Sequence, residues 1–155
     1  MEYHLKPIIT YPNLPQRFLK ARDSLMEHFR HILNHFGLTE QQWRILRALD
    51  EHSELEPREI CQLGQFSSPS MAGMLARLEE AELVKRDRIE GDQRRVKVTL
   101  SPKGIILLSQ LGPLIELQYT YIEEACGKQI LDELFHVLEE FADLAKRPMK
   151  HVILP

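Results

Sequence analysis

One stretch constrains the fold more than any other: residues 66–98, FSSPSMAGMLARLEEAELVKRDRIEGDQRRVKV. It reads as a short helix followed directly by a two-stranded hairpin. Ser68 can cap the helix, and Pro69 suits its first position, where the missing N–H costs nothing. Met71, Leu75 and Leu78 share one face at helical spacing. Ser70, Gly73 and Arg77 share another, turned by roughly a quarter circle or more at ~100° per residue. Small side chains let a helix approach a groove closely, and arginine can read a guanine edge or hold a phosphate. Residues 83–89 and 95–100 read as strands around Glu90-Gly91-Asp92-Gln93. Val84, Val96 and Val98 supply β-branched residues, and Gly91 permits the turn.

Charge is concentrated in that hairpin. Lys85, Arg86, Arg88, Arg94, Arg95 and Lys97 stand against Asp87, Glu90 and Asp92, a local +3 in a chain whose formal net charge is −3. A basic hairpin on an acidic body lets a protein orient on DNA without adhering along its whole surface. With 43% hydrophobic residues the chain can bury a core. Its 155 residues fit one domain, or one domain with an oligomerising extension. Cys61 and Cys126 lie far apart and outside any C-x-x-C pattern, which suits a reducing compartment without a structural disulfide. No apolar run approaches the ~18 residues of a spanning helix, and the N-terminus lacks a signal-peptide layout. A cytoplasmic protein without membrane contact is expected. The motifs of the common hydrolases, phosphate loops, zinc proteases and dinucleotide folds are absent, so neither an enzyme nor a cofactor is expected.

Around this stretch the pattern is helical. Residues 1–13 hold Pro7 and Pro12 and read as an extended arm, apolar enough through Tyr3, Leu5, Ile8, Ile9 and Tyr11 to lie on another surface. A long helix over residues 14–36 carries Phe18, Leu25, Phe29, Ile32 and Phe36 at three- and four-residue spacings, and Gly37 ends it. Thr39-Glu40-Gln41-Gln42 is a capping box that opens a second helix through Trp43, Ile45, Leu46 and Leu49. Pro57 opens a third helix to Gly64 with Ile60, Cys61 and Leu63 inward. Two short helices joined by a tight link, the second presenting a groove-facing side beside a basic hairpin, make a winged helix-turn-helix.

Ser101-Pro102 starts a fifth helix to about Cys126, Gly127 breaks it, and a sixth runs from Lys128 to about Lys146. Ile106, Leu107, Leu111, Leu114, Ile115, Ile122, Leu131, Leu134, Phe135, Leu138 and Phe141 exceed what a small winged-helix core can cover. With the first helix they are expected to bury against a second copy of the chain, and the apolar tail 149–155 to add to that contact. The expected fold is mainly α with a small β-hairpin wing, one domain over residues 1–155. Within it 37–100 form the winged lobe, and 1–36 and 101–155 the dimerisation region. A two-fold dimer sets its recognition helices about one duplex turn apart, ~34 Å.

This order of elements, with Asp92-Gln93-Arg94-Arg95 at the wing and Leu100-Ser101-Pro102-Lys103-Gly104 after it, resembles the MarR family of bacterial regulators over about residues 14–146. Lys20-Ala21-Arg22-Asp23 with Met26 and Phe29-Arg30, then residues 38–45, LTEQQWRI, are similar to one subgroup. It comprises the repressors of homoprotocatechuate (aromatic acid) degradation operons. Pro69-Ser70, Gly73 and Arg77-Leu78-Glu79 match that subgroup too, although it usually has Arg where Ser68 stands. The resemblance implies a homodimeric repressor on a pseudo-palindromic operator, controlling aromatic-acid catabolism. It implies a small aromatic carboxylate that weakens DNA binding from a site between the dimerisation helices and the DNA-binding lobe. It also implies that Arg94 reaches the minor groove, where negative potential is concentrated.

The DNA-facing candidates are therefore Ser68, Ser70, Gly73 and Arg77 on the helix, and Arg86, Arg88, Asp92, Arg94 and Arg95 on the hairpin. Asp92 can orient Arg94. Arg95 alternates to the opposite face and can pair within its own subunit. Arg86 and Arg88 suit phosphate or solvent equally. For the effector, Arg22, Met26 and Phe29 put a guanidinium, a thioether and an aromatic ring on one side of the first helix. That set suits an aromatic carboxylate, which arginine holds bidentately. The alternative for Arg22 is an acidic partner across the dimer. His28 and Trp43 are further pocket candidates, Trp43 being equally a core residue. His28, His31 and His35 fall at i, i+3 and i+7, but the remaining ligands of a zinc site are not visible, and no metal is expected. Cys61 reads as core. The alternatives are a regulator of the same fold that responds to a metal or oxidant, and a helical dimeric adaptor without DNA binding.

Overall fold

The computed structural model describes residues 8–154, so Tyr3, Leu5 and Pro7 of the expected arm and Pro155 of the tail lie outside the described residues. The order is α1 (Leu14–His35), α2 (Glu40–His52), β1 (Glu54–Leu55), α3 (Pro57–Gly64), α4 (Ser68–Glu80), β2 (Val84–Ile89), β3 (Asp92–Leu100), α5 (Pro102–Cys126) and α6 (Lys128–Ala142). The chain divides into two compact units, one through Ile115 and one from Glu116 onward.

The first unit is built on the helical faces read from the sequence. Phe29 and Leu33 of α1, Ile45, Leu46 and Leu49 of α2, Ile60 of α3, and Met71, Leu75 and Leu78 of α4 are each no more than 2% exposed, as are Val84, Val98 and Leu111. Each such side chain contributes about 1.5–3 kcal/mol on leaving water. The helix ends follow local chemistry. Gly37, at φ 67°, closes α1 in a Schellman motif, with Leu38 N–H on the Leu33 carbonyl at 3.0 Å and Gly37 N–H on that of Asn34 at 3.0 Å. The Thr39 capping box is complete, Gln42 N–H donating to Thr39 Oγ1 at 3.2 Å and Thr39 N–H to Gln42 Oε1 at 2.9 Å.

Three local expectations need correction. The cap position of α4 is Ser67, not Ser68, and Pro69 is the second helical residue. Proline is equally tolerated there, because N–H groups of the first turn have no helical partner anyway. In α3, Ile60 and Gly64 form the buried pair, Cys61 is half-buried and Leu63 is 51% exposed. An i, i+4 pair defines so short a helix, and Leu63 is turned away from it. The hairpin turn is two residues, Glu90 and Gly91, because Ile89 pairs with Asp92 and β3 starts there. Gly91 stands at φ 89°, a conformation that favours glycine.

The sheet has three antiparallel strands in the order β1-β3-β2, with Glu54 opposite Thr99 and Leu55 opposite Val98. Two-residue β1 carries no periodicity and is not foreseen by the sequence. The segment Leu100–Gly104 fastens the wing to α5. Ser101 is 5% exposed, accepts from Gly104 N–H at 3.0 Å and donates to the Glu82 carbonyl. Ser101 N–H reaches the Leu83 carbonyl at 3.0 Å, and Lys103 Nζ the Ala81 carbonyl at 2.9 Å. A Cβ on Gly104 would sit 2.2 Å from the Leu83 carbonyl oxygen, so only glycine permits this approach.

In the second unit, α6 follows Gly127, at φ 92°, and gives way to a 3-10 turn over Asp143–Lys146 that takes the last residues of the expected helix. No residue of α6 is buried, and Ile130, Leu134, Phe135 and Leu138 are exposed. Of the apolar residues expected to meet a second copy, Leu111 and Ile115 instead join the core of their own chain. Among the described residues no helix is long and apolar enough to cross a membrane.

Candidate nucleic-acid interface

Because Met71, Leu75 and Leu78 face the core, α4 turns Ser68, Ser70, Gly73 and Arg77 to solvent. Nothing lies within 4 Å of the point a Gly73 Cβ would occupy, so this face is open. The Ser67 hydroxyl donates to Ser70 Oγ at 2.9 Å at the start of the helix.

The wing separates its cations. The Arg94 side chain is 96% exposed. Asp92 orients it through the backbone, accepting from Arg94 N–H at 3.0 Å, while Arg94 Nε stands 3.9 Å from the same oxygen. Arg86 donates through Nε to Glu79 Oε2 at 2.7 Å, joining β2 to the last turn of α4. Arg88 Nη1 donates to the Gln93 carbonyl at 3.0 Å, which braces the hairpin across its turn. Arg95 Nε donates to Glu56 Oε2 at 3.2 Å, and Lys97 Nζ to Glu54 Oε2 at 3.1 Å, both fastening β3 to the segment around β1. The hydrogen bond from Arg95 holds the Glu56 carboxyl below the usual carboxylate range, and the same bond raises the Arg95 guanidinium above its own.

The effector candidates fall in two places. Arg22 Nη1 lies 3.1 Å from Asp23 Oδ1, and its Nη2 pairs with Glu40 of α2, so its acidic partners are in its own chain. Met26 is half-buried and His28 exposed. Phe29 is 1% exposed and stacked on Trp43, ring centroids 6.3 Å apart at 27°. Trp43 in turn lines a groove of about 310 Å³ together with Arg44, Arg47, Ala48, Glu51, His52, Leu63 and Gly64. The groove thus brings Trp43 to two guanidinium groups that sequence reasoning missed. Trp43 and Arg47 stand one turn apart on α2, and that spacing was the available signal. His28, His31 and His35 are exposed, and among the described residues no group of three or more His, Cys, Asp or Glu could hold a metal ion.

A sequence model of the MarR family matches residues 36–95. The HTH-type transcriptional regulator FarR of Neisseria gonorrhoeae is 38% identical over 126 residues, 81% of this chain and 86% of that protein. The homoprotocatechuate degradative operon repressor of Escherichia coli is 34% identical over 134 residues, 86% of this chain and 90% of that protein. Among solved structures, that of NadR in complex with 4-hydroxyphenylacetate matches with a TM-score of 0.78 at 34% identity, covering 90% of this chain and 99% of that one.

Proposed function

The chain belongs to the MarR family of DNA-binding transcriptional regulators, and on that premise we propose that it is a homodimeric repressor released from its operator by a small aromatic carboxylate. The family is non-enzymatic and its regulators are dimers. The observation that carries the DNA half of the reading is the pairing of an open helix face, Ser68, Ser70, Gly73 and Arg77, with the exposed guanidinium of Arg94 at the wing tip. A two-fold pair of such units reads a pseudo-palindromic site. Such a protein works in the cytoplasm, beside the DNA.

The effector half draws on relatives. One was solved with 4-hydroxyphenylacetate and another is a repressor of a homoprotocatechuate operon. The groove at Trp43 offers this chain an aromatic wall with a guanidinium beside it. Arg47 lies in that groove, and Arg22 pairs with Glu40 at the start of the same helix. Control of aromatic-acid catabolism follows as the proposed role.

The test is a gel shift on the DNA upstream of the gene across a salt series, repeated with hydroxylated phenylacetates, benzoates and cinnamates that raise the thermal midpoint. Specific binding that tightens as salt falls, and release by at least one acid, are expected. Weak, sequence-independent binding overturns the repressor reading, and binding that no acid releases overturns the effector. Arg22→Ala and Arg47→Ala then separate the two anchors. The anchor's loss blunts release while ligand-free affinity stays nearly intact, since an effector acts only through its differential affinity for two states.

A further inference from the structure

The link between α3 and α4 is tight, and its geometry depends on a residue of another helix. Gly64 ends α3, Gln65 takes the left-handed conformation at φ 56°, and Phe66 N–H returns to the Cys61 carbonyl at 3.0 Å. Gly64 is buried, and a Cβ there would meet the Phe66 ring at 2.0 Å, so the edge of the ring packs against that glycine. α4 begins two residues after Phe66. Whatever holds Gly64 and Phe66 therefore holds the N-terminal end of the recognition helix, where Ser68 and Ser70 stand.

Arg44 of α2 touches both. Its Nη1 donates to the Gly64 carbonyl at 2.8 Å, and its guanidinium carbon stands 4.4 Å from the Phe66 ring centre. The Gly64 carbonyl is one of the acceptors a helix leaves unpaired at its C-terminus, where a cation is also favoured. A planar guanidinium can make that bond and still present its face to an aromatic ring, which an ammonium cannot do as well. The third side of the group is Glu40. Arg44 Nε is buried, without a hydrogen-bond partner, and 3.8 Å from Glu40 Oε1, the oxygen that also pairs with Arg22 Nη2. Burial, and then the charge of Arg22, lower the affinity of Arg44 for its proton, and the Glu40 carboxylate stands against both guanidinium groups.

We propose that Arg44 is the positioning residue of the recognition helix, fixing the α3–α4 turn through Gly64 and Phe66, and that the Glu40 carboxylate fixes Arg44. The opposite end of α4 is held separately by Arg86 on Glu79. Arg44 itself contributes nothing to the open face of α4. Its loss changes how that face is presented, and with it the discrimination between sequences, while the count of phosphate contacts stays the same.

The experiment uses the full-length protein and a duplex that it selects from a random-sequence pool, with a scrambled duplex as the reference. Affinity for both is measured by fluorescence anisotropy across a salt series, with thermal midpoint and oligomeric mass recorded on the same preparations. Arg44→Gln is expected to lower the ratio of selected to scrambled affinity by about tenfold, the scale on which a lost base contact shows, with an unchanged salt slope. Arg44→Lys restores part of the ratio, Glu40→Gln loses less than Arg44→Gln, and Arg44→Gln with Phe66→Leu is no worse than Arg44→Gln alone. An unchanged ratio overturns the proposal. So does an equal loss on both duplexes, whether with a salt slope reduced by about one, which marks a direct phosphate contact, or with a collapsed thermal midpoint, which marks a merely structural residue. Should Arg44→Gln fail to fold, Arg44→Lys and Phe66→Leu decide the matter, and an unchanged ratio in both overturns it.

Discussion

Arg94 and Arg95 are adjacent in the sequence and differ in almost everything else. Arg94 stands 96% exposed near the wing tip. Arg95, on the same strand, is hydrogen-bonded to Glu56, which lies 39 residues earlier. The ladder is irregular here, Arg88 pairing with Val96 and Ile89 with Asp92, so both arginines lie in a bulge of β3 and the Glu56 partner is what sets Arg95 apart. Below Arg95 the pattern continues with Lys97 on Glu54 and ends at Gly104, where the backbone of α5 meets that of Leu83. The root of the wing is thus a structural joint, and its tip is the part we propose reads DNA. A charge count over the hairpin treats the two alike. Four of its six cations, Arg86, Arg88, Arg95 and Lys97, are engaged within the chain, and the attraction for DNA rests on fewer groups than the count suggests.

The comparison can be broken at the root most severely. Gly104→Ala drives a methyl group against the Leu83 carbonyl oxygen, and a loss of about 2–3 kcal/mol of stability in urea unfolding is expected. A loss under about 0.5 kcal/mol, typical of an open surface position, would show that the joint yields freely. At the tip, Arg94→Ala should cost about 1–3 kcal/mol of operator binding and reduce the salt slope by about one, with the unfolding midpoint unmoved. Unchanged affinity removes the wing tip from the interface. Arg95→Ala sharpens the contrast, because its salt slope should match that of the unsubstituted protein while amide exchange near Val98 and Thr99 quickens. A slope lowered as in Arg94→Ala would erase the distinction between root and tip. The smallest effect is in pH. Since Glu56 is held below the usual carboxylate range, its contribution is fully present above that range and is lost as pH falls through the lowered value. Comparison of unfolding midpoints from neutral to acid pH should show Glu56→Gln losing less on acidification than the unsubstituted protein. Parallel curves would mean that the Arg95 bond does not contribute to folding.

Legibility in the sequence divides along similar lines. The faces of α1, α2 and α4 were readable because their buried apolar residues recur at the helical period, as Phe29, Leu46 and Leu75 do within their helices. The Thr39 box and the Gly37 stop were readable because each acts over a few residues, whereas Leu100–Gly104 stood out only through the family it resembles, since its partners Ala81, Glu82 and Leu83 meet it only in the fold. Arg95 with Glu56, Lys97 with Glu54, and Arg44 with Gly64 were not, since those partners lie 39, 43 and 20 residues apart and meet only in the fold. Alternation placed Arg95 on the face away from Arg94 and allowed it a partner, without saying which. Strand β1, two residues long, has no period to show. The Trp43 groove was half legible: the tryptophan stood out as the only one in the chain, whereas Arg44 and Arg47 were two among many cations.

The apolar side of α6 has a consequence for how this protein is maintained. No residue of α6 is buried within its own chain, so in the dimer we propose the order of this helix depends on protein concentration. In the proposed dimer, dilution exposes the apolar side of α6 and lowers operator occupancy together, while the core of the first unit stays buried within one chain.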